Sequence, residues 1–185
     1  MRVLQGTVAA FAVCLALSGC QDDGKEPTTG TSGSSTSSPS DDAPTEAPAA
    51  TGPVIKGDTF TVNVPEGWVK DKDFSTDFLD QYSEASGSQR MYVGELAGEV
   101  RPLDEVAKDN FTGFATGGTK RKSATGELAG EPAYHFTAAN GGGLFAEEFL
   151  TIRNGTQVSF GVVLAGTEAE RQAVIDSMLA TWEWK

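Results

Sequence analysis

Phe149-Leu150-Thr151-Ile152-Arg153-Asn154-Gly155-Thr156-Gln157-Val158-Ser159-Phe160 is the stretch that decides the architecture of this chain. Asn and Gly tolerate the positive φ that a two-residue hairpin turn demands, and Asn154-Gly155 stands between two alternating runs. Phe149 and Thr151 precede it and Val158 and Phe160 follow it, each pair spaced by two as on one face of a strand. The spacing predicts an antiparallel hairpin, with strands over residues 144–152 and 157–164.

Working back along the chain, the same alternation predicts strands over 133–138 and 121–128. Gly130-Glu131-Pro132 and Asn140-Gly141-Gly142-Gly143 separate them. The second of these lacks the lysine and the following helix of a phosphate loop, so it reads as a turn. A helix is expected after Arg101. Pro102 suits its first turn, Leu103, Val106, Ala107, Phe111 and Phe114 form one apolar stripe, and Gly117-Gly118 marks the exit. Further back, strands are expected over 90–96 and 78–82, around the turn Ser86-Gly87-Ser88. Another has Phe60, Val62 and Val64 alternating with Thr59, Thr61 and Asn63, and ends at Pro65-Glu66-Gly67-Trp68.

Forward of the hairpin, Thr167-Glu168-Ala169-Glu170 is a capping box that starts a second helix. Val174, Ile175, Met178 and Leu179 are its buried stripe. Trp182 and Trp184 alternate around Glu183 as a short last strand that closes the sheet. Two amphipathic helices need a sheet face to cover. The expectation is an α+β fold: an antiparallel sheet of about six to eight strands with two helices packed on it, made by residues 53–185.

The N-terminal third has a different character. Residues 1–19 have the form of a secretory signal, with Arg2 as the only charge and an apolar run over 8–17. That run is about ten residues, half of the ~20 a helix needs to span a bilayer. Leu17-Ser18-Gly19-Cys20 reads as a lipobox. Cleavage between Gly19 and Cys20 follows diacylglycerol attachment to the Cys20 thiol, and acyl chains then anchor the protein in the cell membrane, facing outside the cytoplasm. Cys14 is discarded with the signal, so the folded part holds no thiol, disulfide or cysteine ligand. Residues 21–52 are rich in Ser, Thr, Pro, Gly and acids, without aromatics or apolar periodicity. With Cys20 they read as a lipidated, disordered, acidic tether. The Ser/Thr cluster at its centre is compatible with O-glycosylation.

The strand ending Val64-Pro65-Glu66-Gly67-Trp68, the strand entry Gly130-Glu131-Pro132-Ala133-Tyr134 and a C-terminal helix running into an aromatic strand resemble the PsbP-like fold. That fold is shared by an extrinsic photosystem subunit, a Ran-binding protein and several bacterial exported families. With the lipobox and tether, the whole chain is similar to actinobacterial LpqN/LpqT-type lipoproteins. The resemblance implies a fold and an address, and brings no catalytic residues with it.

The residues themselves point the same way. His135 is the only histidine, which is too few for a zinc site without cysteines. No Gly-x-Ser-x-Gly elbow accompanies it, so it reads as structural or surface. Asp71-Lys72-Asp73-Phe74-Ser75-Thr76-Asp77 starts like a calcium loop but lacks the turn glycine, and Tyr82 stands where the closing glutamate belongs. It reads as a solvated acidic loop. Lys120-Arg121-Lys122 reads as charge guarding an edge strand. Glu147 and Glu148 point to opposite faces if they lie in a strand, and so do not act as a pair. Gly-Glu-Leu-Ala-Gly-Glu occurs at 94–99 and again at 126–131, with flanks that do not match. The chain carries 26 acids against 14 basic residues, a balance opposed to nucleic-acid binding.

The sequence therefore assigns no catalytic, cofactor-binding or metal residue, and the chain is expected not to be an enzyme. Its expected role is a membrane-anchored module that binds another envelope or surface protein. The alternative is a carrier of a small apolar molecule, lined by Phe111, Phe114, Phe145, Phe149, Phe160, Trp68 and Trp182.

Overall fold

The computed structural model describes residues 47–114 and 120–185, with backbone alone at 120–124. The signal segment, Cys20, the tether as far as residue 46, Gly117-Gly118 and the Lys120-Arg121-Lys122 side chains lie outside the described residues.

Among the described residues twelve elements follow in order: β1 (Val54–Lys56), β2 (Phe60–Asn63), β3 (Val69–Lys70), β4 (Leu79–Ser83), β5 (Arg90–Ala97), α1 (Leu103–Gly113), β6 (Lys120–Leu128), β7 (Glu131–Ala139), β8 (Leu144–Arg153), β9 (Thr156–Ala165), α2 (Glu168–Leu179) and β10 (Glu183–Trp184). Seven strands make one antiparallel sheet in the order β3-β4-β5-β9-β8-β7-β6. Its middle is the β8–β9 hairpin, with Phe149 opposite Phe160 and Arg153 opposite Thr156. Asn154 and Gly155 take φ of 51° and 75°, as the tight turn requires. β5 is inserted beside β9, with Met91 opposite Val162 and Val93 opposite Phe160.

The alternation of side chains gives this sheet two buried faces. Met91, Val93, Phe149, Val158, Phe160 and Val162 point to one of them. They are covered by Phe60 and Val62 of β2 and by Ile175 and Met178 of α2. Trp182 wedges between the layers, stacked on Phe60 at 4.6 Å and edge-on to Phe160 at 5.8 Å. On the opposite face α1 lays Val106 and Ala107 over Phe136, Ala146 and Leu150. The Phe136 ring is flanked by Phe111 at 5.3 Å and Phe114 at 5.8 Å.

Three details depart from the sequence reading. The last strand does not close the main sheet. β10 pairs with β2, Trp184 opposite Phe60, in a separate three-stranded sheet β1-β2-β10. The reason is that Phe60 and Val62 are fully buried on the side facing the main sheet, so β2 stacks on it and does not join its edge. The turn before β7 is Ala129-Gly130, with φ of 48° and 84°, and Glu131 and Pro132 already belong to the strand. Proline is tolerated there because the ladder to β8 begins only at Tyr134, leaving no lost donor on that side. Pro102 is the N-cap of α1, one place before the helix.

Ala50 is the first buried residue among those described. Its N–H donates to Ser177 O at 2.8 Å, and its carbonyl accepts from Asn63 Nδ2 at 3.1 Å. Gly52 passes so close to β2 that a Cβ would lie 2.3 Å from Pro65 O.

The capping box forms as written in the sequence. Thr167 N–H donates to Glu170 Oε2 at 2.8 Å, and Glu170 N–H donates to Thr167 Oγ1 at 3.3 Å. Thr167→Ala is expected to lower stability by about 1 kcal/mol. In urea unfolding this reads as a lower midpoint at unchanged slope.

Candidate functional site: an open half-face of the sheet

α1 packs over β7 and β8, and beyond it, towards β4, the same side of the sheet carries a cleft of about 480 Å³. Strand register builds the cleft floor. One row across three strands is Glu148, Gly161 and Tyr92. Tyr92 lies flat across Gly161, where a Cβ would fall 2.1 Å from the ring's Cζ. Its hydroxyl thereby reaches Glu148 and donates to Oε2 at 2.6 Å. The next row is Gly94 opposite Ser159, a shallow trench with little side-chain bulk. Leu96 and Gln157 follow, Asn110 of α1 stands on one side, and Phe78 and Leu79 form the far rim.

The electrostatics of this row come from burial. Glu148 is 8% exposed, and desolvation raises its carboxyl above the usual range, opposed by the hydrogen bond from Tyr92. Burial and the neighbouring Glu148 push the Tyr92 phenol well above its ordinary value, so it remains a donor at neutral pH. At the rim the chemistry is apolar: Phe78 is 61% exposed and Leu96 is 56% exposed.

A second, smaller cleft of about 210 Å³ shares Phe78, Leu79 and Glu95 with the first. Glu95 accepts from Asp58 N at 2.6 Å and from Thr59 N at 2.8 Å, tying the β1–β2 loop to β5. Asp77 and Asp80 also line it, and Asp80 is ion-paired with Lys70. The acidic loop ahead of it is held by its own bonds: Asp73 N–H donates to Asp71 Oδ1 at 3.1 Å, and Ser75 N–H to Asp71 O at 3.0 Å.

On the opposite face, beside α2, His135 stacks on Phe149 at 4.2 Å, with Nε2 3.0 Å from Glu147 Oε2. Arg171 reaches the other oxygen of Glu147 at 3.5 Å and donates to Gly166 O at 2.8 Å. Its guanidinium sits 4.0 Å over the Phe145 ring. The bond to His135 is the main cause holding the Glu147 carboxyl below the usual range, against the opposing effect of burial. The network borders a cleft of about 410 Å³ and ties α2 to β7 and β8.

Glu147 and Glu148 thus face opposite sides of the sheet, each with its own partners. The aromatics expected to line a carrier cavity are divided. Phe149, Phe160, Trp68 and Trp182 belong to the core on the α2 face, and Phe111 and Phe114 to that under α1. The sheet keeps the two groups apart: Phe160 packs on Phe149 and Trp182 on one side, Phe111 and Phe114 pack on Phe136 on the other, and Phe145 lies under the Arg171 guanidinium. The Tyr92 cleft went unread in the sequence. Gly161 in an otherwise apolar strand was its one local signal, marking a close approach to the backbone.

No protein-family model matches the sequence, and no curated protein matches it. Solved structures do. A crystal structure from Bacteroides thetaiotaomicron VPI-5482 is similar with a TM-score of 0.51 and 11% identity, over 72% of this chain and 48% of that one. This chain therefore spans about half the length of that protein. The solution structure of cyanobacterial PsbP (CyanoP) from Synechocystis sp. PCC 6803 is similar with a TM-score of 0.52 and 10% identity, over 72% of this chain and 92% of that one. The Ran-binding protein Mog1p of Saccharomyces cerevisiae is similar with a TM-score of 0.50 and 12% identity, over 73% and 96%. Likeness at this identity speaks to the fold alone. With its seven-stranded antiparallel sheet, smaller second sheet and two helices, the chain has the α+β fold of the PsbP-like proteins.

Proposed function

We propose that this chain is a lipid-anchored protein on the outer side of the cell membrane, and that its α+β domain is a non-catalytic docking module for another protein. The observation that carries the docking role is the pair of exposed apolar side chains, Phe78 and Leu96, bordering one cleft on an open part of the sheet face. Exposed apolar groups gathered around one hollow mark interaction surfaces. One solved structure of this fold is described as a Ran-binding protein, which supports protein recognition by analogy. Leu17-Ser18-Gly19-Cys20 and the acidic tether support the address, as does the similarity to LpqN/LpqT-type lipoproteins. A tether also raises the local concentration of the module near membrane partners without adding contacts.

Two measurements test the reading. A clickable palmitate analogue is expected to label the wild-type protein in its own cells and not Cys20→Ser, with the mature chain starting at Cys20 by mass spectrometry. A mature chain that retains residues 1–19 overturns the address. Phe78→Ala with Leu96→Ala is expected to change stability by no more than about 0.5 kcal/mol each, as at exposed sites. The same pair is expected to abolish partner capture by in-cell crosslinking. Undiminished capture overturns the docking face.

A further inference from the structure

We infer that the segment docking on this face inserts a lysine or arginine side chain into the Tyr92 cleft, with its head at Glu148 and its stem along Leu79 and Leu96. The inference rests on the docking reading above and names what the partner must present.

Three observations converge on it. First, Glu148 lines the cleft, is more than nine-tenths buried, and uses only one oxygen: Oε2 accepts from Tyr92, while Oε1 has no hydrogen-bond partner among the described residues. Oε1 keeps access to the cleft, so a cationic donor arriving there finds an unshared carboxylate oxygen on a largely buried side chain. Second, the charge that the cleft face itself carries among the described residues is the acid Glu148; Glu95, the other charged lining residue, alternates to the far face of β5 and gives its carboxylate to Asp58 N, Thr59 N and Thr59 Oγ1. The adjoining hollow adds Asp58 and Asp77, which are exposed and make no side-chain hydrogen bond or ion pair among the described residues. The cations nearby are already placed or lie outside the cleft. Lys70 is paired with Asp80, Lys185 Nζ donates to Gly57 O, Lys56 lines the smaller hollow, and Arg90 acts on Tyr92 at the end of β5. Third, beside the polar Asn110, Gln157 and Ser159, the cleft offers apolar and aromatic surface from Phe78, Leu79, Leu96 and Tyr92. Long cationic side chains lay an alkyl stem on such surface while the head finds a charge. The face of the Tyr92 ring adds a favourable quadrupole for the same head.

The docking role alone requires only the exposed apolar rim. The added claim is a cation, and it is testable separately. The probes are two synthetic tripeptides, acetyl-Leu-Arg-Leu-amide and acetyl-Leu-Gln-Leu-amide, titrated into the full-length isotope-labelled protein by NMR. The arginine peptide is expected to shift the amides of Tyr92, Gly94 and Ser159. The glutamine peptide should bind on the order of tenfold more weakly, the value of one charge-assisted hydrogen bond. Glu148→Gln keeps an acceptor for Tyr92 and is expected to erase that difference. Added salt should weaken the arginine peptide alone. Equal binding of the two peptides, shifts confined to another surface, or no shifts at all overturn the inference.

A photo-crosslinker at position 78 or 96 in the native cells then separates the two readings. An adduct whose partner segment carries Lys or Arg beside an apolar residue supports both. An adduct on a segment without a basic residue leaves docking standing and removes the cation. No adduct at either position, with adducts from sites on the α2 face, removes the docking face itself.

Discussion

Gly161→Ala is expected to cost about 2–4 kcal/mol and to close the cleft. The new Cβ would stand 2.1 Å from Tyr92 Cζ and 2.4 Å from both Cε1 and the hydroxyl oxygen. No contact of that kind survives, so the ring must leave β9. Overpacking of this kind costs about 1–3 kcal/mol in cores. A second cost follows, because the displaced hydroxyl can no longer donate to Glu148, and a buried group left without its partner costs about 1–3 kcal/mol. The two costs overlap, since a ring that swings away relieves the clash by giving up the bond. Urea unfolding checks the total. Removing the ring as well, in Gly161→Ala with Tyr92→Ala, should recover the part due to the clash and leave the part due to Glu148. Additivity of the two single changes would show that Tyr92 does not rest on Gly161. The displaced ring also has one open direction, the trench over Gly94 and Ser159. The arginine peptide should therefore lose its site in the single variant.

This glycine illustrates which parts of the fold are legible in the sequence. Features set by neighbours in the chain were readable: the Asn154-Gly155 turn, the capping box at Thr167, and the α1 stripe, with Val106 and Ala107 fully buried. Features set by pairing between distant strands were not. Tyr92 and Glu148 meet only because β5 enters beside β9, and 56 positions separate them. Likewise, β2 and β10 stack as a second sheet because of where Phe60 and Trp182 find cover. The strands β1 and β3 are too short, at three and two residues, to leave a period in the sequence. Glu147 and Glu148 fall between these cases. Strand alternation assigned them to opposite faces, and their partners, which come from β7, α2 and β5, came only with the tertiary structure.

Those two glutamates should bend the stability curve in opposite directions. The folded Glu147 carboxyl lies below its ordinary value of 4.5, chiefly through His135 and also through Arg171. Its stabilising contribution is fully present above that ordinary value and is lost as pH falls through the depressed one. The folded Glu148 carboxyl lies above 4.5 because of burial. Its contribution is present below 4.5 and is lost as pH rises through the raised value, so at neutral pH the ionised group opposes folding. Arg171→Met tests the first. It removes a buried cation from Glu147 and from Gly166 O, leaves His135 as the carboxylate's remaining partner among the described residues, and loosens the N-terminal half of α2 from the sheet. A broken buried pair costs about 3–5 kcal/mol. With His135 still in place, about 2–3 kcal/mol is expected at pH 7, with the loss shrinking as Glu147 is protonated. Glu148→Gln tests the second. The amide oxygen still accepts from Tyr92, and the charge is gone. The variant should be more stable than wild type at pH 7 by about 1 kcal/mol, the lower end of what a desolvated charged group costs. The two should converge near pH 4. Urea midpoints taken from pH 3 to pH 8 on both variants decide the matter. Parallel curves would mean that neither carboxyl changes its proton affinity on folding. A Glu148→Gln variant less stable than wild type at pH 7 would mean that the buried carboxylate already has a cation of its own, leaving none for a partner to bring.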